Sequence, residues 1–183
     1  MQLIQEKNKM EEKANKEQQF VNYIIERCNK DKGFAAKLRR ADNPATEYQS
    51  WEILGPWIDL EKNYERLPYA TIAAAIARSN AEKNGSLPLG KAIAACYPEA
   101  GGAEKYSDQA KARLRRLLAC HDVAEACRIL RSTLTLIDSK LGQPIDFAAL
   151  LRQLRFFGES SKIRWAKDFY NQRDQEKATE VQE

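Results

Sequence analysis

The sequence has few of the residues from which active sites, metal centres and membrane spans are built. It holds one histidine, His121, among 183 residues, and its four cysteines form no Cys-x-x-Cys pair. It shows no Ser, His and acid arrangement, no glycine-rich phosphate loop and no pair of carboxylates at the spacing of a two-metal nuclease. No apolar run approaches the roughly 18 residues that cross a bilayer. We therefore expect no enzymatic activity, no cofactor and no membrane contact.

Cysteine usage and the N-terminal sequence both indicate a cytoplasmic protein. The cysteines at 28, 96, 120 and 127 are interpreted as small apolar core residues, because a disulfide framework is not expected in a reducing compartment. A zinc site from Cys120, His121 and Cys127 is an alternative, but the spacing fits no zinc finger and a fourth ligand is missing. Residues 1–20 also lack the apolar centre and cleavage site of a secretory signal.

The pattern of apolar residues predicts an all-α fold. From Phe20 to Tyr170 they recur at helical spacing, and no run alternates as a half-buried strand does. We expect two small helical bundles, joined near residue 100 by a segment that contains Gly101-Gly102. The predicted organisation is a disordered or helix-extending tail at 1–19, an N-terminal bundle at 20–98, a linker at 99–106, a C-terminal bundle at 107–170, and a disordered tail at 171–183.

Proline and capping residues predict where helices begin. Pro44 and Pro68 are each expected at the first position of a helix, and Asn84-Gly85 is expected to end the second of these. A last helix over 161–170 is predicted to turn Ile163, Ala166, Phe169 and Tyr170 inward. The expected N-caps of the second half are Ser107 or Asp108, Asp122 with Glu125 as a capping box, and Asp146.

The positive charge of the chain lies in its centre. The formal net charge is +4, yet residues 20–170 hold 24 basic and 18 acidic residues, because both tails are neutral or acidic. Between Lys105 and Arg131 there are seven basic residues against three acidic ones. A local excess of this kind favours a polyanionic partner.

Arginines recur on the outer faces of three consecutive predicted helices. A spacing of about 100° per residue places Arg115 and Arg116 opposite the apolar face of the first helix, Arg131 beside the outer pole of the second, and Arg152 at that of the third. Solvation of a polar surface explains part of this pattern. The scarcity of interleaved acids favours phosphate contact, for which arginine is suited. Phe156 lies near Arg152 in angle and is expected either to stack on a base or to fill an interface.

Five motifs, taken in order, resemble the CasB family, the small subunit of the type I-E CRISPR surveillance complex called Cascade. They are GFAAKLRRADNP at 33–44, LPLGKAIA at 87–94, RLRRLL at 113–118, IDFAALLRQLRFFG at 145–158 and DFY at 168–170. The resemblance covers roughly residues 20–170. It implies a non-enzymatic helical protein, present as two copies beside the crRNA-bearing backbone subunits and the large subunit.

The resemblance also implies a basic surface that binds nucleic-acid backbone, above all the displaced non-target DNA strand of the R-loop. The positions that match basic residues of the family are Arg39, Arg40, Lys91, Arg131, Arg152 and Lys162. Arg115 and Arg116 join this set from their place on the predicted helix. Where family members carry further basic residues, this chain has Glu159-Ser160-Ser161 after Gly158, so we expect no phosphate contact there and take Lys162 as the candidate.

Two other functions are considered from the sequence. The first is a free-standing helix-turn-helix DNA-binding protein with the helix at 122–138 as its reader, although Val123, Ala124 and Ala126 offer no base-reading side chain. The second is a structural adaptor whose basic face meets an acidic protein. Binding to mixed-sequence single strands, to duplex or to neither distinguishes the three.

Overall fold

The computed structural model describes residues 2–97 and 107–170, with side chains described from Lys16 onward. In chain order the elements are α1 (Gln2–Lys30), α2 (Lys32–Leu38), a 3₁₀ turn (Glu47–Ser50), α3 (Trp51–Leu54), α4 (Asn63–Ser79), α5 (Leu89–Ala95), α6 (Asp108–Leu118), α7 (Val123–Lys140), α8 (Phe147–Arg155) and α9 (Glu159–Tyr170). Within those ranges extended backbone pairs at one isolated bridge, between Leu87 and Ile145. The predicted all-α class is confirmed. The predicted linker and C-terminal tail lie outside the described residues.

Three helices begin at the caps that the sequence predicts. The side chains of Ser107, Asp122 and Asp146 each accept a hydrogen bond from the backbone N–H three residues later, at 3.2, 2.8 and 3.0 Å. The Glu125 carboxylate accepts from the backbone N–H of His121 at 3.0 Å. The reciprocal half of the capping box is therefore shifted back by one residue, but it still satisfies a donor before α7.

The two proline-based helix starts are wrong. Pro44 lies in a turn, and helical structure resumes only at the 3₁₀ turn before α3. Pro68 lies inside α4, which begins five residues earlier at Asn63. A proline in a helix interior costs about 3 kcal/mol or more, and here the burial of the turns that follow offsets that cost.

Helix α4 is the centre of the core. Every residue from Pro68 to Ala77 is buried, and the alanines among them allow neighbouring helices to approach closely. The helix ends at Ser79, five residues before the predicted stop at Asn84. It ends there because Asn80 adopts a left-handed conformation with a φ of 50°. This all-round burial explains why the sequence gives α4 only a weak amphipathic pattern.

One buried core joins both halves of the chain. Helix α4 packs against α7 and α8, α1 packs against α8, and α5 packs against α6 and α9. Helices from before and after residue 100 thus share their apolar surfaces, and the division into two bundles is not confirmed. None of the described helices combines the length and apolar composition that a membrane span requires.

Helix α9 buries a face that agrees only in part with the predicted one, because Phe169 is buried as predicted but Ile163 and Tyr170 are not. Trp165 and Phe169 are fully buried, whereas Ile163 and Tyr170, both predicted inward, are 46% and 43% exposed. Gly90 of α5 lies directly against this helix, and a Cβ there would be 2.6 Å from the backbone nitrogen of Phe169. The large aromatic pair at i and i+4 therefore determines which face of α9 meets the core.

Candidate nucleic-acid interface

Helix α6 presents two arginines to solvent. Its capping and its apolar spacing bury Ala110, Leu114 and Leu117 completely, and the opposite face then exposes Arg115 and Arg116. Neither guanidinium forms an ion pair with a carboxylate of the described residues. Their charge is thus uncompensated by this part of the chain, and the planar donor fork of arginine matches the oxygens of a phosphate.

The two predicted lysines lie on helices that contact α6. Lys91 belongs to α5 and Lys162 to α9, and these helices pack against α6 and against each other. Both side chains are half-buried. The Nζ of Lys162 lies 5.6 Å from the ring centre of Phe157, a cation–π distance. These helices therefore carry Lys91, Arg115, Arg116 and Lys162 in one part of the fold.

A second group of arginines surrounds Asp42, whose carboxylate is only 3% exposed. Arg78 donates to both of its oxygens, at 3.2 and 2.7 Å. The Nε of Arg131 lies 3.6 Å from the Asp42 Oδ1, with 47% of the Arg131 side chain exposed. One buried carboxylate therefore holds an arginine of α4 and an arginine of α7, and leaves half of the second in solvent.

Arg39 and Arg40 lie next to this group, at the end of α2. The Arg39 Nε donates to the carbonyl of Ala77 at 2.9 Å, and the Arg39 carbonyl accepts from Arg78 at 3.3 Å. Arg40 donates to the Gln49 side chain at 3.4 Å. The structure thus brings Arg39 and Arg131 together through Asp42 and Arg78. Arg115 and Arg116 of α6 lie elsewhere in the sequence and do not share the Asp42 carboxylate.

Arg78 was not predicted from the sequence. It sits in the last turn of α4, directly after the buried alanine run, where a cation also interacts favourably with the helix dipole. A basic residue at the end of a wholly buried helix must reach either solvent or a carboxylate. The position of Arg78 directly after the alanine run is therefore the sequence feature that could have indicated it as a site residue.

Two arginines near the predicted set have structural partners instead. Arg113 donates to the Tyr97 hydroxyl at 3.3 Å and to the Thr133 hydroxyl at 3.4 Å, which joins α6 to α7. Arg155 pairs with the fully buried Glu17 of α1, and its own side chain is 12% exposed. Removing either partner of the Arg155–Glu17 pair leaves an uncompensated buried charge. Both arginines therefore contribute to the fold, Arg155 through this ion pair and Arg113 through hydrogen bonds between elements.

The turn between α8 and α9 separates a partly buried from an exposed aromatic ring. Phe157 packs against the core at 5.9 Å from the Trp165 ring centre, whereas Phe156 is 54% exposed beneath the Arg155 guanidinium. Arg152 is exposed one turn earlier on α8. Ser161 is buried and donates to a backbone carbonyl at 2.8 Å, so its hydroxyl is engaged within the fold.

The cysteines are packed as core residues. Cys96, Cys120 and Cys127 are buried and Cys28 is half-buried, and all four are free thiols. Burial raises the pKa of Cys28 to about 11 and that of Cys127 to about 12. In the described part of the chain no cluster of His, Cys, Asp and Glu has the geometry of a metal site. Such thiols are poor nucleophiles and poor ligands at neutral pH.

Helix α7, the alternative reader helix, is largely covered by its neighbours. It packs against α4, α5, α6 and α8, and its buried side includes Cys127, Leu130, Leu134 and Ile137. Its first turn presents Ala124 to solvent, and the exposed Arg128 faces Glu125 at 3.8 Å. A helix in this position serves as a scaffold more readily than as an inserted reader of the major groove.

Comparisons with known proteins agree with this architecture. The model of the CRISPR-associated protein Cse2 family matches residues 35–170. The crystal structure of CasB from M. ruber superimposes with a TM-score of 0.62 at 25% identity, covering 91% of this chain and 97% of that one. A chain of a CRISPR RNA-guided surveillance complex gives a TM-score of 0.64 at 20% identity, covering 91% and 99%. No curated protein matches the chain.

Proposed function

We propose, from the premise that the chain belongs to the CRISPR-associated protein Cse2 family, that it is the non-catalytic small subunit of a Cascade complex. Its role in that complex is to bind nucleic-acid backbone and so stabilise the R-loop. The resemblance to the CasB family found in the five motifs is confirmed by the family match and by the CasB structure. The solved chain of similar fold in a surveillance complex supports the assembly.

The observation that carries the nucleic-acid role is the pair Arg115 and Arg116. They are exposed on a rigid, capped helix and have no carboxylate partner in the described residues. The one acidic residue of α6, Asp108, lies in its first turn and pairs with Lys111. A surface built to be merely soluble interleaves charges of both signs, whereas no acidic residue of α6 lies next to Arg115 and Arg116. Phosphate oxygens supply the missing negative charge.

The mechanism needs no pocket, metal or nucleophile. R-loop formation exchanges one duplex for another of similar stability, so a protein that neutralises phosphates of the displaced strand shifts the balance. Arginine forks on helices bind the phosphates whatever the bases are. Sequence recognition is left to the guide RNA, and this subunit contributes affinity alone.

The partners follow from the same proposal. They are crRNA and the target or non-target DNA backbone, the backbone subunits, the large subunit and a second copy of this chain. We place the assembly in the cytoplasm, where invading DNA is met. The exposed arginine of the Asp42 group, Arg131, and the exposed Arg152 provide further phosphate contacts outside α6.

A titration across salt concentrations tests the nucleic-acid role. The full chain is titrated against labelled mixed-sequence single-stranded DNA, RNA and duplex. For single strands log K falls against log salt by about 0.7 per neutralised phosphate, so four to six contacts predict a slope of roughly −3 to −4. A flat response or one preferred sequence contradicts the proposal. Binding to neither strand type, alone or in the assembled complex, favours a structural adaptor.

A further inference from the structure

One aromatic ring lies at the surface where α8 ends. Phe156 is 54% exposed, and it is the one apolar side chain among the exposed residues of 152–160, since the others are Arg152, Glu159 and Ser160. A single exposed ring needs no explanation by itself. Phe156 differs from such a ring in the support that the fold builds beneath it.

The support beneath Phe156 is a guanidinium that lies between two rings. The Arg155 Cζ is 5.4 Å from the ring centre of Phe156 and 5.7 Å from that of Tyr69, both cation–π distances. Arg155 pairs with Glu17, and the side chains of Glu17 and Tyr69 are fully buried. The exposed ring therefore rests on a buried layer that α1, α4 and α8 build together.

Hydrogen bonds also fix the backbone of Phe156. Its N–H donates to the Arg152 carbonyl at 3.1 Å, and its carbonyl accepts from the buried Ser161 hydroxyl at 3.3 Å. The next residue, Phe157, packs against Trp165. Because the chain on both sides of the ring is already held, a ligand that contacts the ring loses little free energy to ordering the protein.

The charge around Phe156 favours an anionic ligand. Residues 152–167 hold five cations and one carboxylate. Two of these cations have carboxylate partners outside the segment, because Arg155 pairs with Glu17 and Arg164 lies 3.5 Å from Asp168. When both of those carboxylates are counted as well, the net charge is still +2. Such a surface attracts a nucleic-acid strand and does not attract a neutral or cationic protein segment.

The size of the apolar surface favours a base over a protein. Protein interfaces place their anchor residues inside an apolar core with a polar rim, whereas the exposed neighbours of Phe156 in the chain are charged or polar. One base presents one π-face, which a single ring can cover, while cations nearby contact the phosphates. Arg152, which is exposed one turn before the ring, is such a cation.

We propose that Phe156 stacks on a base of the single-stranded nucleic acid that the subunit binds. The inference rests on the proposed function and adds a contact with bases to the arginine contacts with phosphates. Stacking accepts any base, because every base has a π-face. The subunit therefore gains affinity for an unpaired strand over a duplex without reading its sequence.

Strands with and without bases test the stacking contact. The full chain, alone and in the assembled Cascade complex, is titrated with an oligothymidylate of about twelve nucleotides and with an abasic strand of the same length. We expect Phe156→Ala to weaken oligothymidylate binding about five- to one-hundred-fold. The salt slope should not change, because no phosphate contact is lost, and binding of the abasic strand should not change either.

Three further variants distinguish stacking from other apolar contact. Phe156→Trp should retain the affinity for oligothymidylate, and Phe156→Leu, which keeps an apolar side chain without a ring, should lose it as Phe156→Ala does. Tyr48→Ala removes a 59% exposed ring from the 3₁₀ turn and is the matched control, which should bind both strands as the wild type does. Thermal melts verify that each variant is folded.

The outcomes separate this inference from the proposed function. If the wild-type chain binds the strands but Phe156→Ala binds them equally well, stacking is wrong and the phosphate role stands. If Phe156→Ala weakens binding of the abasic strand as much as that of oligothymidylate, the ring does not act through bases. If it lowers incorporation into the complex and leaves strand binding unchanged, Phe156 is a protein contact and the inference is wrong. If the wild-type chain binds neither strand in either setting, the proposed function fails together with the inference.

Discussion

The sequence alone does not distinguish the arginines around Asp42 from the arginines of α6, but the structure places the two groups in different surroundings. Arg78 and Arg131 share one nearly buried carboxylate, and Arg39 is tied to the backbone of α4. Arg115 and Arg116 have no ion pair among the described residues and point away from a fully buried apolar face. The first group connects α2, α4 and α7, whereas no ion pair of the described residues ties the second group to another helix.

The difference shows that exposure on a helix does not assign an arginine to binding. A guanidinium with a buried carboxylate contributes to folding, and its charge is partly neutralised before a ligand arrives. A guanidinium without one contributes little to stability and offers its whole charge to phosphate. We therefore expect the two groups to respond in opposite ways to substitution.

The largest effect is expected from the core beneath α6. Leu117→Ala removes a fully buried side chain and should lower the free energy of unfolding by about 2 to 5 kcal/mol through the cavity left behind. Thermal and urea melts measure the loss. Leu154→Ala in α8 should behave similarly. If Leu117→Ala is neutral, α6 does not pack as described and the exposure of Arg115 and Arg116 loses its basis.

A smaller loss is expected when the carboxylate of the first group is removed. Asp42→Ala leaves Arg78 without its two hydrogen bonds and should cost about 1 to 3 kcal/mol. The matched control is Asp108→Ala, because Asp108 is 95% exposed and lies 3.6 Å from Lys111, and surface pairs contribute about 0 to 1 kcal/mol. A double-mutant cycle with Arg78→Ala isolates the pair. Equal losses for Asp42→Ala and Asp108→Ala would remove the distinction between the two groups.

The fold was predictable where a helix has one apolar face and a capped start. Ser107, Asp122 and Asp146 cap α6, α7 and α8 as the sequence indicates. Prediction failed for α4, because a helix buried on all sides has no polar face to mark its phase and because packing tolerates Pro68. It was only partly right for α9, where Phe169 is buried as predicted but the burial of Trp165 overrides the competing stripe of Ile163 and Tyr170.

The candidate site was predictable in its residue types but not in its partners. Helical spacing alone places Arg115 and Arg116 opposite the core. The pairing of Asp42 with Arg78 and Arg131 joins residues 36 positions apart in one case, and no local pattern encodes such a contact. Asp42 stands beside Arg39 and Arg40 in the sequence, yet its partners come from α4 and α7.

Charge reversal of the second group should leave the fold intact and weaken binding. Arg115→Glu/Arg116→Glu is expected to change the free energy of unfolding by no more than about 0.5 kcal/mol per residue. Single-stranded DNA affinity and R-loop formation should both fall, and the salt slope should lessen by about 0.7 for each phosphate that is no longer neutralised. The effect should shrink at high salt.

The control for this charge reversal changes the same number of charges elsewhere. Lys30→Glu/Lys62→Glu alters two exposed lysines that pair with Glu26 and Asp59, away from α6. If it weakens DNA binding as much as the α6 variant, net charge alone explains the effect. Arg131→Glu should differ from both by costing stability as well as affinity, because it places a second carboxylate beside Asp42.

The smallest effect is expected from thiol reagents and chelators. Thiol reagents report how well the helices that carry the two groups of arginines are packed, because Cys120 lies behind α6 and Cys127 lies in α7, and they change no arginine charge. The Cys120 Sγ donates to the Arg116 carbonyl at 3.3 Å behind α6, and Cys127 is a buried residue of α7, the helix that carries Arg131. Burial raises the pKa of both thiols, that of Cys127 to about 12. A raised thiol pKa leaves less thiolate at pH 8, and the thiolate is the reactive form, so iodoacetamide should modify these two cysteines hardly at all. Burial also raises the pKa of Cys28 to about 11, but Cys28 should react first because it is half-buried while the other three thiols are buried. EDTA should leave the circular dichroism unchanged. Rapid labelling of Cys120 in the native protein would show that α6 opens readily, and its arginines would then lack the rigid support that the proposed phosphate contacts need.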